Sequence, residues 1–188
     1  MNNLPEFQEF RKIPRLSREI IISEKIDGTN GVIYIDSADN IFAGSRNRWL
    51  WNSVQDKIDT DNHGFAAWVK EHKEELLRLG EGYHYGEWWG KGIQRGYGME
   101  EKLFSLFNVY RWKDADIRPI CCEIVPILYD GIFSGEMIGN TLMTLKEYGS
   151  KAAPGFMKPE GIVIYHTQGR LYFKKTLEND EKGKNEVK

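Results

Sequence analysis

Cysteine is scarce in this sequence. The two thiols are neighbours, Cys121 and Cys122; a bridge between adjacent residues is strained, and there is no third cysteine to pair with either. The chain therefore reads as a reduced protein with a cytoplasmic location, not a disulfide scaffold. Histidine is also sparse. His63, His72, His84 and His166 share no short spacing and have no cysteine beside them, which argues against a zinc site. No run of about 18 apolar residues occurs, so no membrane-spanning helix is expected. The opening residues lack the apolar stretch of a secretory signal. An excess of either charge is missing too: 26 Lys and Arg stand against 28 Asp and Glu, a net charge of -2. That excludes a generally basic nucleic-acid coat but leaves room for a local basic groove, because the field at a site depends on where the charges sit. There is no internal repeat, no low-complexity stretch and no linker.

What remains is the composition of a soluble domain. Of 188 residues, 40% are hydrophobic and 29% charged, enough to bury a sizeable core in one unit. Aromatics reach 13% and include six Trp; most belong in a core, with some available as stacking surfaces. Short apolar runs at 20–25, 32–35 and 41–44 read as strands, the first two joined by the tight turn Asp27-Gly28-Thr29-Asn30-Gly31. Residues 62–79 predict a helix, with Phe65, Trp68, Val69, Leu76 and Leu79 near one face. Asp61 or Asn62 can cap it and Gly80 can end it. Strand-like runs follow at 83–89, 103–110, 121–128, 161–165 and 171–174, with a second helix at 141–148. Residues 178–188 are charged and poor in apolar side chains, a tail beyond a domain at 1–177. Many strands with few helices between them predict an α+β fold on antiparallel sheets.

The segment Ser23-Glu24-Lys25-Ile26-Asp27-Gly28-Thr29-Asn30-Gly31 carries chemistry. A lysine at the end of an apolar strand becomes a covalent nucleophile if burial or nearby cations keep its amine partly neutral. Glycines let backbone approach a phosphate closely. Taken alone, a surface hairpin with a solvated lysine explains the segment equally well.

Lys25-Ile26-Asp27-Gly28 resembles the nucleophile motif of the covalent nucleotidyltransferases, the polynucleotide ligases and mRNA capping enzymes. With its flanks it is most similar to the RNA ligase branch, particularly phage-type ligases that seal breaks in double-stranded RNA. Further segments resemble the family's other motifs in the family's order. Ser45-Arg46-Asn47 resembles the basic motif after the nucleophile hairpin. Tyr85-Gly86-Glu87-Trp88 resembles the motif whose glutamate holds the ribose. Residues 104–109, with Phe107 before Asn108, resemble the motif whose ring stacks on the base. Glu160-Gly161-Ile162-Val163-Ile164 resembles the strand whose glutamate lies near metal and phosphate. Phe173-Lys174-Lys175-Thr176 resembles the terminal lysine motif that contacts the α-phosphate. The resemblance spans residues 20–177.

That resemblance implies an ATP-grasp-like ligase domain of antiparallel sheets with flanking helices. It implies attack of Lys25 on ATP to give lysyl-AMP, transfer of AMP to a 5′-phosphate end, and sealing by a 3′-hydroxyl. Its nucleotide-binding residues are Glu24, Ile26, Asp27, Asn30, Arg46, Glu87, Phe107, Glu160, Lys174 and Lys175, with Glu160 beside the metal, Mg²⁺ or Mn²⁺. The physical roles agree with one another. Arg46, Lys174 and a metal can offset phosphate charge, Phe107 offers adenine a flat apolar partner, and Glu87 an acceptor for a ribose hydroxyl. Because strand neighbours point to opposite faces, only one of Lys174 and Lys175 faces the phosphate directly, and Lys174 is preferred.

Some readings stay open. Arg48 is a hairpin charge or a nucleic-acid contact. The stretch from Trp88 to Gly98 is a mobile loop that touches nucleic acid through Lys91 and Arg95, or a glycine-rich structural turn with packed Trp. Asp27 follows the general ligase pattern, which leaves DNA beside RNA as substrate. The chain stops soon after the lysine motif, where many relatives carry a further domain; a minimal ligase, a partner chain replacing that domain, or a protein performing part of the cycle are the expectations. A GTP-using capping-type guanylyltransferase and a nucleotide or nucleic-acid-end binding module without turnover are the alternative functions.

Overall fold

The computed structural model describes residues 6–58 and 60–181. Among the described residues ten strands form two sheets. β1 (Glu19–Lys25), β8 (Ile127–Ile132), β9 (Gly161–His166) and β10 (Leu171–Thr176) make a four-stranded sheet in the order β10-β9-β1-β8. β2 (Thr29–Ile35), β3 (Ile41–Gly44), β4 (Trp49–Asn52), β5 (Gly82–Gly90), β6 (Lys102–Leu106) and β7 (Cys122–Ile124) make a six-stranded sheet in the order β4-β3-β2-β5-β6-β7. All pairings are antiparallel except β6 with β7. The α+β expectation holds.

Alternation along the strands distributes the core. One face of the six-stranded sheet, with Ile33, Ile35, Ala43, Trp88 and Phe104, packs under α1 (Phe65–Glu71) and α2 (Lys73–Leu76). One face of the four-stranded sheet, with Ile20, Ile22, Ile162 and Ile164, packs under Leu145 of α4 (Gly135–Tyr148). A third cluster sits between the sheets and includes Ile21, Ile26, Trp89, Tyr97 and Val125. Each large side chain so enclosed contributes about 1.5–3 kcal/mol of transfer free energy.

Several elements differ from the sequence expectation for identifiable reasons. The helix expected over 62–79 is broken at His72, whose ring Nδ1–H donates to the Trp68 carbonyl at 2.9 Å and whose backbone leaves the helical region. The last turn, Leu77–Leu79, is a tight 3-10 turn ended by Gly80. Asn62 does not cap the helix; its amide donates to Thr29 Oγ1, while Asp61 accepts from the Ala66 N–H. The strand expected over 103–110 stops at Leu106, and α3 (Val109–Trp112) follows, with Asn108 accepting from the Arg111 N–H as its cap. The run at 121–128 is two strands divided at Pro126, which has no N–H to give a ladder. The helix expected over 141–148 starts six residues earlier, capped by Ser134; Gly135 and Gly139 weaken its signal in the sequence. β4, only four residues long, was not anticipated. The expected charged tail lies mostly at 182–188, outside the described residues.

Candidate active site

Lys25 closes β1, and the chain then crosses directly to β2. Residues 25–30 thus bridge the two sheets, with Ile26 buried in the cluster between them. The ladder places Lys25 opposite Gly161 of β9, and Gly161 opposite Thr176 of β10. A Cβ on Gly161 would collide with the Lys175 carbonyl, so glycine is what allows β9 and β10 to close beside the lysine. Glu160, the residue before, then reaches Lys25: its Oε2 lies 2.5 Å from Nζ, and the two side chains are 19% and 10% exposed.

The turn after Lys25 is held from several sides. The Asp27 N–H donates to the Tyr97 hydroxyl at 2.8 Å. The Asp27 carboxylate accepts from Arg95 Nε at 3.0 Å, and the same guanidinium donates to the carbonyls of Lys158 and Pro159. Arg95 therefore ties the turn after Lys25 to the segment that carries Glu160. Burial pushes the Tyr97 hydroxyl well above the ordinary phenol range, with Glu24, Asp27 and Glu160 adding to the effect; the group stays neutral and fit to accept. The Gly28 N–H donates to Glu87 Oε1 at 3.1 Å, and the Asn30 amide donates to Glu87 Oε2 at 3.2 Å. A Cβ on Gly28 would stand 2.5 Å from the Trp88 carbonyl, so only glycine brings this turn down onto β5.

The structure gathers Lys25, Ile26, Asp27, Asn30, Glu87 and Glu160 around one turn. Lys174 pairs with Val163, which pairs with Ser23; the ladder thus sets Lys174 on the face of Lys25. Lys175 falls on the opposite face and binds Asp180 at 2.9 Å. Phe104 is buried against Phe65 and Trp68 on the helix side, whereas Phe107 packs at the cluster between the sheets. Glu24 points away from Lys25, as strand neighbours must, and is 1% exposed. Its carboxylate accepts from Ser150 Oγ and from the N–H groups of Lys151 and Ala152 at 2.6, 2.8 and 2.9 Å.

Arg46 and Arg48 rise from the β3–β4 loop and border a depression with Trp49, Tyr83 and Tyr85. Lys91 is not gathered with the rest: it lies 3.5 Å from Glu100 and lines an open hollow beside Gly64 and Trp68 of the α1 side. Of the two readings of residues 88–98, the packed one describes what is seen. Trp88, Trp89, Ile93 and Tyr97 are all buried. Tyr97 and the 150–152 loop were missed by sequence reasoning; the first sat unremarked in a glycine-rich run, and nothing in the sequence marks the second.

Among the described residues no three His, Cys, Asp or Glu side chains converge as a metal cage. A single carboxylate suffices for Mg²⁺ or Mn²⁺ when substrate phosphates and water supply the other oxygens, and Glu160, aimed at the lysine amine, fits that use.

A family model described as RNA ligase matches residues 18–181. The chain belongs to the RNA ligase family. No curated protein matches it by sequence. Among solved structures, a variant of the Naegleria gruberi RNA ligase with AMP and Mn superposes with a TM-score of 0.62 at 20% identity, covering 86% of this chain and 50% of that one. A second variant of that ligase, with ATP and Mn, gives 0.63 at 20% identity, covering 93% and 58%. An apo variant gives 0.63 at 22% identity. The chain thus spans about half the length of these relatives, and at such identities the likeness is one of fold.

Proposed function

We propose that this domain is the ATP-dependent adenylating unit of an RNA ligase and that Lys25 is its nucleophile. The observation that carries the reading is the convergence on one turn of a lysine, its paired Glu160 at 2.5 Å, and Glu87 held by Gly28 and Asn30. ATP lies in the cleft between the sheets, its ribose hydroxyls at Glu87 and its base against Phe107. Lys25 Nζ attacks the α-phosphorus, the bond to pyrophosphate breaks, and lysyl-AMP forms. The attacking amine must be neutral, and Glu160 Oε2 is placed to take the proton from Nζ. Lys174, on the same face, offsets charge on the α-phosphate. A divalent cation at Glu160, Mg²⁺ or Mn²⁺, would supply further positive charge at the phosphates when bound. AMP then passes to a 5′-phosphate end of RNA, and a 3′-hydroxyl displaces it to seal the strand. Arg95 and Tyr97 keep the turn in place for in-line attack, where positioning is a large share of the rate.

The test is incubation with divalent metal and ATP labelled on the α-phosphate, with GTP in parallel, followed by denaturation. The expected result is covalent label from ATP, absent in Lys25→Ala while that variant keeps its melting temperature. Normal labelling of Lys25→Ala would remove the lysine from its role, and label from GTP alone would make the domain a guanylyltransferase. Supplying RNA and DNA, each as single strands and as nicked duplexes, to the labelled protein then reads substrate choice, with RNA expected to be sealed.

A further inference from the structure

The face of the six-stranded sheet that carries Asn30 and Glu87 continues away from Lys25 as an array of aromatic rings. Asn30 is opposite Glu87, Val32 opposite Tyr85, and Tyr34 opposite Tyr83. Val32 is also opposite Gly44, and Gly44 opposite Trp49. Residues two apart share a face, so Tyr85 and Tyr83 extend the Glu87 surface along β5 in steps of roughly 7 Å, and Trp49 joins them from across the sheet. Tyr83 and Tyr85 are nearly parallel, at 9° with centroids 6.0 Å apart. Trp49 and Tyr83 lie at 26° and 6.4 Å.

These rings are not core. Trp49, Tyr83 and Tyr85 are 48%, 54% and 52% exposed. A contiguous exposed patch of this kind marks an interaction surface. The rings border a depression of about 280 Å³ that Arg46 and Arg48 also line. Neither arginine has an ion pair among the described residues. Flat, roughly co-oriented rings beside two uncompensated guanidinium groups match what an unpaired RNA strand presents, stacking bases on a line of phosphates. An apolar protein segment would cover the rings and leave both charges unanswered.

We infer that this surface is a subsite for an RNA strand: unpaired nucleotides of the strand to be joined stack on Tyr85, Tyr83 and Trp49, with their phosphates toward Arg46 and Arg48. RNA as the occupant rests on the ligation reading above. The Glu87 end of the array leads to the nucleotide cleft, so a strand lying along it approaches the adenylated lysine end-on.

The test measures binding of the full chain to fluorescent single-stranded RNA of about ten nucleotides, within the usual range of such sites, and to a blunt RNA hairpin. Tyr83→Leu and Trp49→Leu remove a ring and keep apolar bulk; Trp49→Phe keeps a ring. Each Leu variant is expected to weaken single-strand binding roughly 5- to 100-fold, the loss that follows removal of one stacking partner. Trp49→Phe should keep most of the affinity, the hairpin should bind poorly, and ATP labelling should be unchanged in every variant. Unchanged single-strand affinity in the Leu variants, or a hairpin that binds as well as the single strand, overturns the subsite. Should a Leu variant not fold, wild-type protein decides: an abasic strand of equal length must bind more weakly, and equal binding overturns the proposal. Ring-dependent RNA binding without any ATP label would leave the subsite standing and sink the adenylation reading, so the two fail separately.

Discussion

Glu24 and Lys25 are neighbours on β1, and the alternation of a strand gives them different tasks. Lys25 faces Glu160, while Glu24 turns into the protein and receives three donors from residues 150–152. The resemblance set Glu24 beside the nucleotide; in the structure its carboxylate anchors the loop after α4 to the strand that ends at Lys25. No pattern in the sequence links positions 24 and 150, because the contact is made by folding and neither residue type is rare. Removing the carboxylate leaves buried donors without partners, which costs more than the net worth of the bonds. Glu24→Ala is expected to lower unfolding free energy by roughly 2–4 kcal/mol, the penalty of stranding one or two such donors, as read from urea denaturation. Glu24→Gln, which still offers one acceptor oxygen, should lose less. A Glu24→Ala protein as stable as wild type would show that water or Ser150 satisfies these groups without it.

The elements near the site were legible where local chemistry decides them and obscure where tertiary contacts do. β3 was read to the residue because its short apolar run ends on Gly44. The long helix after Asn62 was misread because its apolar period continues across His72, and only the ring's bond to Trp68 shows the break. The loop joining β5 to β6 was ambiguous for another reason: its glycines signal freedom, yet Ile93 and Tyr97 are buried and hold it down. Arg95 is carried by that loop, reaching Asp27 and the carbonyls of 158 and 159. It joins the two segments that present Lys25 and Glu160. Arg95→Ala should therefore slow lysyl-AMP formation by roughly 10- to 100-fold, the scale of a small misplacement of reacting groups, with a much smaller change in melting temperature. Arg95→Lys should recover little, since an ammonium cannot span a carboxylate and two carbonyls as a planar guanidinium does. Wild-type labelling rates in Arg95→Ala would mean that Tyr97 and Glu87 suffice to hold the turn.

At the scale of the molecule, the candidate site exists only because two sheets face each other. The order of the motifs along the chain was visible in the sequence. Their convergence was not, since Lys25 and Glu160 are 135 positions apart and meet through the β1–β9 ladder. Glu87 comes from the other sheet and is reached through the turn that crosses between them. A nucleotide seated in this cleft must touch both sheets, and that has a thermodynamic consequence. A ligand that binds only the folded protein stabilises it by about 2.7 kcal/mol at a concentration of 100 Kd. For a domain of this size each kcal/mol moves the melting temperature by about 2–4 °C, so ATP should raise it by roughly 5–10 °C. Measuring this in Lys25→Ala keeps the complex noncovalent. In that background, Glu87→Ala removes a contact from the six-stranded sheet and Glu160→Ala one from the four-stranded side. Each should shrink the ATP-induced shift, judged against its own ligand-free melting temperature. A shift that survives intact in one of them would place the nucleotide on a single sheet, and the cleft between the sheets would then not be where ATP binds.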